Sequence, residues 1–230
     1  MEYVLLQDER ALLFREFLVI GDLHLGYAKT LEERGYSIPN QVNEFVKRIK
    51  ELKTKTNAKK LIILGDVKHM VPKISYDEKY DIPNFFYELS KEFEEIIVTK
   101  GNHDGRIEAM VHEKNVKILK EFLVGHVGFI HGHAWPSEEF MSKCKILVMG
   151  HSHPNFKLED KLGVRHNFPC WVIGKLNKKK MTKFKDTTIE EALIVPTFNR
   201  LFMGYEHFAG PFSKALKKRD IFLLDLTKIK

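Results

Sequence analysis

Short apolar runs recur along the chain, each rich in Val, Ile, Leu or Phe and each short enough for a strand. They are "YVLLQ" (3–7), "ALLFR" (11–15), "FLVIG" (17–21), "LIILG" (61–65), "EIIVTKG" (95–101), "VGFIHG" (127–132) and "ILVMG" (146–150). Asp8-Glu9-Arg10, between the first two, suits a hairpin turn. The polar stretches between later runs carry helical spacing instead. In "NQVNEFVKRIKEL" (40–52), Val42, Phe45, Val46, Ile49 and Leu52 share one face, and Pro39-Asn40 marks its start. "NFFYELSKEFEE" (84–95) repeats the pattern with Phe85, Phe86, Leu89 and Phe93, and "RIEAMVHEK" (106–114) predicts a weaker third helix. Strand–helix–strand alternation predicts an α/β domain. After His153 the helical spacing fades, and "CWVIG", "EALIVP", "RLFMG" and "DIFLLDL" predict further strands. No Ser/Gly-rich linker or internal repeat interrupts the chain. The expectation is one domain over 1–230, with a motif-bearing part at about 17–155 and a β-rich part at about 156–230.

Composition narrows the class. With 230 residues, 43% hydrophobic and 30% charged, the chain can build a substantial core under a charged surface. No apolar run approaches the roughly 18 residues of a membrane helix. The start, "MEYVLLQDERALLF", lacks the basic opening of a signal peptide. A cytoplasmic protein without a membrane partner is expected. Cys144 and Cys170 show no CxxC or Cys/His zinc spacing, so two reduced thiols are expected. A formal charge of +7 attracts polyanions, nucleic acid and phosphorylated ligands included. The densest positive block, "GKLNKKKMTKFK" (174–185), reads as a solvated loop or as a nucleic-acid contact. Oligomeric state, a homodimer included, is left open.

The polar residues at the ends of the apolar runs change the picture. "FLVIG" leads to Asp22-Leu23-His24, "LIILG" to Asp66, and "IIVTKG" to Asn102-His103-Asp104. "GFI" leads to His131-Gly132-His133, and "ILVMG" to His151-Ser152-His153. Five strands deliver metal ligands or acid–base groups at their carboxyl ends, where open α/β sheets bind ligands. Extended residues two apart point the same way, so Asp22 with His24, and His151 with His153, are expected to converge. The donors are carboxylates, an amide oxygen and imidazoles, with no thiolate, which favours ions such as Mn²⁺, Fe or Zn²⁺. Asp22, His24, Asp66, Asn102, His131, His151 and His153 exceed the needs of one tetrahedral ion and fit two ions sharing a carboxylate. Such pairs serve phosphate ester hydrolysis.

The ordered blocks "GDLH" (21–24), "GD" (65–66), "GNHD" (101–104), "HGH" (131–133) and "GHSH" (150–153) resemble those of the calcineurin-like metallophosphoesterases. "GDLHLGYAKTLEERGYSIPNQ" and "GDVKH" are similar to the archaeal SbcD-related phosphoesterases and to bacterial phosphoesterases associated with a DNA ligase. The resemblance implies a four-layer α/β/β/α sandwich with a dinuclear site at one edge of the paired sheets. It implies that Asp22, His24 and His153 hold the first metal, that Asp66 bridges, and that Asn102, His131 and His151 complete the second. Mn²⁺ leads the expected cofactors, with Fe, Zn²⁺ and Ni²⁺ as alternatives. The resemblance also implies that such ions would supply an activated hydroxide for attack on phosphorus, with His103 as the general acid and Asp104 orienting it. His133 lines the phosphate pocket or merely its wall. Lys68 and His69 reach a substrate phosphate, or are a surface lysine and a loop histidine; Arg106 is a substrate contact or a solvated side chain. His112, His126, His166 and His207 match no motif and read as structural, while Trp135 and Trp171 read as core. The expected activity is hydrolysis of phosphodiesters of nucleotide or nucleic-acid type. A phosphomonoesterase or protein phosphatase, and a non-catalytic nucleic-acid-associated scaffold, are the alternatives.

Overall fold

The computed structural model describes residues 2–72, 74–181, 183–184, 186–202, 204 and 209–229. His207, one residue of "RLFMG" and two of the lysine-rich run lie outside these. In chain order the elements are β1 (Tyr3–Leu5), β2 (Leu12–Phe14), β3 (Phe17–Ile20), α1 (Tyr27–Glu32), α2 (Gln41–Thr56), β4 (Lys60–Ile63), α3 (Tyr76–Ser90) and β5 (Glu95–Thr99). After them come β6 (Val116–Leu119), β7 (Glu121–Val124), β8 (Val127–Ile130), α4 (Glu138–Lys143), β9 (Ile146–Met149), β10 (Asn155–Glu159), β11 (Arg165–Leu176), β12 (Glu191–Ile194) and β13 (Leu216–Leu223).

Two sheets form. One runs β1-β2-β3-β4-β5-β6; the other runs β10-β11-β12-β9-β8-β7, with β13 paired to β11. Strands β3 to β6 are parallel, as are β8, β9 and β12. Apart from the edge strand β6, these parallel strands are buried on both faces, which is why they read as unbroken apolar runs and not as alternation. Leu18 and Ile20 of β3, with Leu61 and Ile63 of β4, face the helical side, where Val42, Phe45, Ile49, Phe85 and Phe86 cover them. Phe17, Val19 and Ile62 face the other way and meet Phe129, Val148, Trp171 and Leu193 of the second sheet. On the far side of that sheet Leu147, Met149 and Ile194 pack against Phe140, Met141, Phe184 and Phe212. The order is helices, sheet, sheet, then a thin cover built from α4 and loops, as the α/β/β/α reading expects.

Several elements differ from the sequence reading. The second helix starts earlier, at Tyr76. Ser75 and Glu78 form a reciprocal capping box there, and Pro83 sits inside the helix. The segment 106–114 gives only a 3₁₀ turn at Ile107–Ala109. Arg106 is left-handed (φ 62°), and so short a stretch gains little by nucleating a full helix. "RLFMG" makes no strand across Arg200–Phe202; the Asn199 side chain accepts from the Leu201 amide and turns the chain. β6, β7, β10, α1 and α4 are short or largely polar, and carry too little periodicity to announce themselves. Among the described residues no helix is long and apolar enough to cross a membrane.

Phe129 joins the sheets, with its ring 5.2 Å from Phe14 and 6.4 Å from Phe122 between centroids. Phe129→Ala is expected to cost about 3–5 kcal/mol, by both transfer and cavity terms. Urea denaturation should show that loss in a single transition for both sheets. A loss below about 1 kcal/mol would contradict this placement of the ring.

Candidate metal centre

The five polar blocks leave β3, β4, β5, β8 and β9 at the same edge of the two sheets. Their approach is backbone-led. The Asp22 amide donates to the Gly65 carbonyl at 3.1 Å, and the His24 amide to that of Asp66 at 2.8 Å. The His151 amide, from the second sheet, donates to both Asp22 carboxylate oxygens at 3.1 Å. Two glycines permit the closeness. A Cβ on Gly150 would lie 2.7 Å from Asp22 Oδ2, and one on Gly101 would overlap Asp66 Oδ1.

The turns are not extended, as the spacing argument supposed. Asp22, His24, Asp66, His151 and His153 all have φ between 40° and 64°. Left-handed non-glycine residues are uncommon and concentrate where function requires strain. Asp22 and His24 converge through these tight turns and not through strand alternation, whereas His151 and His153 part, each joining a different donor group.

Three donor groups result among the described residues; one is His24, His69 and His103, and the other two share Asp66. Asp22, His24, Asp66 and His153 form the first of these two; Asp66, His131 and His151 form the second. In the first, His24 Nε2 lies 3.4 Å from His153 Nε2, and His153 Nε2 lies 3.1 Å from Asp22 Oδ1. Asp66 Oδ2 is 3.8 Å from His24 Nε2 and 3.3 Å from His131 Nε2, so it stands between the groups. His131 Nε2 also lies 3.1 Å from His151 Nδ1 and 3.2 Å from Asn102 Oδ1. His133 is exposed beside them, its ring centroid 5.3 Å from that of His131.

These residues fit cations. His131 Nδ1 is 2.8 Å from the Leu64 carbonyl, which can only accept, so Nδ1 carries hydrogen and the Nε2 lone pair points inward. There it meets a carboxylate oxygen and further lone pairs, which repel one another unless positive charge lies among them. With no ion bound that positive charge is a proton on Nε2: burial alone would push His131 down, but Asp66 and Asp22 outweigh it and hold it at about 9, and a bound cation would take the proton's place. Burial pushes His24 down to about 3 against the pull of Asp66, and His151 to about 4 with His131 adding to the effect, so both offer neutral lone pairs. Asp22 and Asp66 stay below the usual carboxylate range despite burial, Asp22 chiefly through His153 and Asp66 chiefly through His131.

His103 borders this cluster. Its Nδ1 is 2.5 Å from the His69 carbonyl, which fixes the ring. Asp104, expected to orient His103, does something else. Its buried carboxylate accepts from Val67 (2.8 Å), Lys68 (3.2 Å) and Gly101 (2.8 Å), tying two strand-end loops together. Burial, with Asp66 nearby, raises its pKa. Lys68 is 1% exposed and gives its ammonium to the Met70 carbonyl, so it faces its own loop and not a substrate. His69 is half-buried with its ring against His24 and His103; Arg106 is exposed at the rim.

Supporting residues are invisible to motif reading because they come from distant or featureless segments. Glu78 accepts from the His69 and Met70 amides at 2.9 and 2.8 Å, holding the carbonyl that grips His103. Thr197 donates to the Asp22 carbonyl and Asn199 to that of Leu23, each at 2.8 Å. Arg10 and Arg48 grip the carbonyls of Thr197, Phe198 and Asn199 from behind. The Phe202 ring stacks on His24 at 4.2 Å. His126 pairs with Glu2, and His166 with Asp160, at the surface away from the cluster. Trp171 is core, whereas Trp135 is half-buried on a cavity of about 630 Å³ that also touches Lys100, His131 and His133. The lysine-rich run begins near the opposite edge, while Phe184 near its end stands 5.3 Å from Trp135 between ring centroids. Lys175 pairs with Glu191, which pairs with Ile146 at the start of β9, about 10 Å along the sheet from Met149.

Residues 16–174 match the family model described as calcineurin-like phosphoesterase. The crystal structure of Pseudomonas putida nuclease MPE aligns over 96% of this chain and 92% of its own, with a TM-score of 0.65 and 18% identity. Yfce, a phosphoesterase from E. coli, aligns over 66% of this chain and 81% of its own (TM-score 0.37, 20% identity). AQ665 of Aquifex aeolicus, a protein of unknown function, aligns over 60% and 78% (TM-score 0.39, 16% identity). No curated protein matches the chain.

Asp104→Ala leaves three buried amides without an acceptor and is expected to cost about 3 kcal/mol or more. Asp104→Asn, which keeps one acceptor oxygen, should cost less. Equal stability of both variants and the parent in urea denaturation would show that this carboxylate does not hold the loops.

Proposed function

The chain belongs to the calcineurin-like phosphoesterase family, and we propose that it is a dinuclear, metal-dependent phosphodiesterase acting on substrates of nucleotide or nucleic-acid type. Asp22, His24 and His153 would hold one divalent ion, and Asn102, His131 and His151 the other, with Asp66 shared between them. The oxygen and imidazole donors suit Mn²⁺ first, and Fe, Zn²⁺ or Ni²⁺ otherwise. When bound, the ions would supply charge neutralisation at the non-bridging phosphate oxygens and an acidified water.

The remaining chemistry falls to this chain's own side chains. The observation that carries the reading is His103, standing beside the donor cluster with its Nδ1 hydrogen committed to the His69 carbonyl. Its Nε2 makes no hydrogen bond among the described residues. With Nδ1 so committed, Nε2 is the atom that takes up a proton, and in the imidazolium form it passes that proton to the departing alkoxide. The Glu78 carboxylate keeps the 69–70 turn, and with it the carbonyl, in place. Space supports a diester over a monoester. One cavity meets the 101–106 turn at Gly101 and extends past His131 to Trp135, and another begins at Asn102 and His103. The two ester arms of a diester would occupy one each. The fold shared with the Pseudomonas putida nuclease agrees with this reading. We also read the chain as one working domain, because Thr197 and Asn199 of the C-terminal part brace the Asp22 turn.

Stripping metals and restoring Mn²⁺, Ni²⁺, Fe²⁺ or Zn²⁺ singly should restore hydrolysis of a model diester and of single-stranded DNA above that of a model monoester. Monoester turnover leading with every metal would overturn the diester preference, and no turnover with any would favour a non-catalytic scaffold. His103→Ala should keep the parent's metal content but lose roughly 10²–10⁴-fold in turnover on alkyl esters, and less on nitrophenyl esters. Full activity on alkyl esters in that variant would remove His103 from its role.

A further inference from the structure

The cavity beyond His103 has a volume of about 660 Å³, within the range of small-molecule sites. Its lining is divided by chemistry. Val71, Pro72 and Ile74 give an apolar wall, and Lys79 and Arg106 supply cations at the rim. Both cations are exposed. Neither makes a side-chain hydrogen bond or ion pair with any described residue, and no described carboxylate lines the cavity. Lys68 also borders it, but its ammonium is spent on the Met70 carbonyl.

The contrast with the cavity at Trp135 is informative. There Lys100 is paired with Glu108, and Lys120 shares the lining with the Glu121 carboxylate, which Ser137 engages. The side that His103 faces thus differs in having two exposed cations and no described carboxylate in its lining.

Resting on the phosphodiesterase reading, we propose that this cavity receives the leaving-group nucleoside and that Arg106 and Lys79 bind the phosphate one link beyond the scissile one. The sugar and base lie against Val71, Pro72 and Ile74, and the far phosphate accepts hydrogen bonds from the guanidinium and the ammonium. Scissile phosphorus–oxygen cleavage then releases an alcohol that still carries a phosphate, with the His103 Nε2 proton going to its oxygen. The substrate class is a strand, or a nucleotide carrying a further phosphate, and not an isolated diester.

Three substrates test this: the dinucleotide TpT, TpTp with an added 3′ phosphate, and pTpT with an added 5′ phosphate. Only one end lies on the leaving-group side. One of the two added phosphates should therefore raise kcat/KM about tenfold over TpT, and the other should not. In the Arg106→Gln/Lys79→Gln double variant that ratio should fall to about one, with the thermal midpoint unchanged because both side chains are exposed. Equal enhancement from both ends, no enhancement, or a ratio that survives the double substitution would overturn the subsite while leaving the phosphodiesterase reading intact. Failure of the parent to hydrolyse any of the three would overturn both.

Discussion

Two carboxylates buried at one sheet edge set the terms for the rest of the molecule. Asp22 and Asp66 are 0% and 1% exposed. A buried carboxylate is costly unless it is paired and hydrogen-bonded. Asp22 receives the His151 amide from the second sheet, and Asp66 receives the His103 amide from the neighbouring loop. Imidazoles fill the remaining directions, and their inward atoms are mostly lone pairs. The arrangement compensates two negative charges incompletely by itself and would be completed by cations. Glycines at 101 and 150, left-handed turns at five donor positions and the 197–199 brace all serve that approach.

Much of this was legible in the sequence because the core strands are buried on both faces. Unbroken runs such as "FLVIG" and "LIILG" announce themselves, and the residues just after each run lie at the sheet edge by the rules of parallel topology. Geometry within the turns was not legible. The spacing of Asp22 and His24 suggested extended chain, and the backbone instead turns left-handed at both. Asp104 sat in a catalytic-looking block, yet its oxygens are taken by three amides. Glu78 looked like an ordinary helix acid, but it both caps α3 and clamps the His69 turn. Thr197 and Asn199 had no motif at all; only tertiary contact brings them beneath Asp22.

Charge shows the same difference between composition and placement. The net charge of +7 pointed broadly towards polyanions. Lys175, at the start of the densest positive run, lies at the far end of the sheet from the donor cluster, and Lys68 is turned inward. Near His103 there remains a pair of exposed cations. Recognition at the site would then depend on a few short-range contacts more than on the overall field, and salt should weaken it only modestly.

Sharing of Asp66 between two ions is the claim on which the proposed chemistry stands. Metal content after equilibrium dialysis against Mn²⁺ tests it most directly, comparing the parent with Asp66→Ala and His151→Ala. The account predicts two ions per parent chain, one in His151→Ala, and one or none in Asp66→Ala with lower affinity than either. Two ions retained at parental affinity in Asp66→Ala, or a parent that never holds more than one, would contradict it.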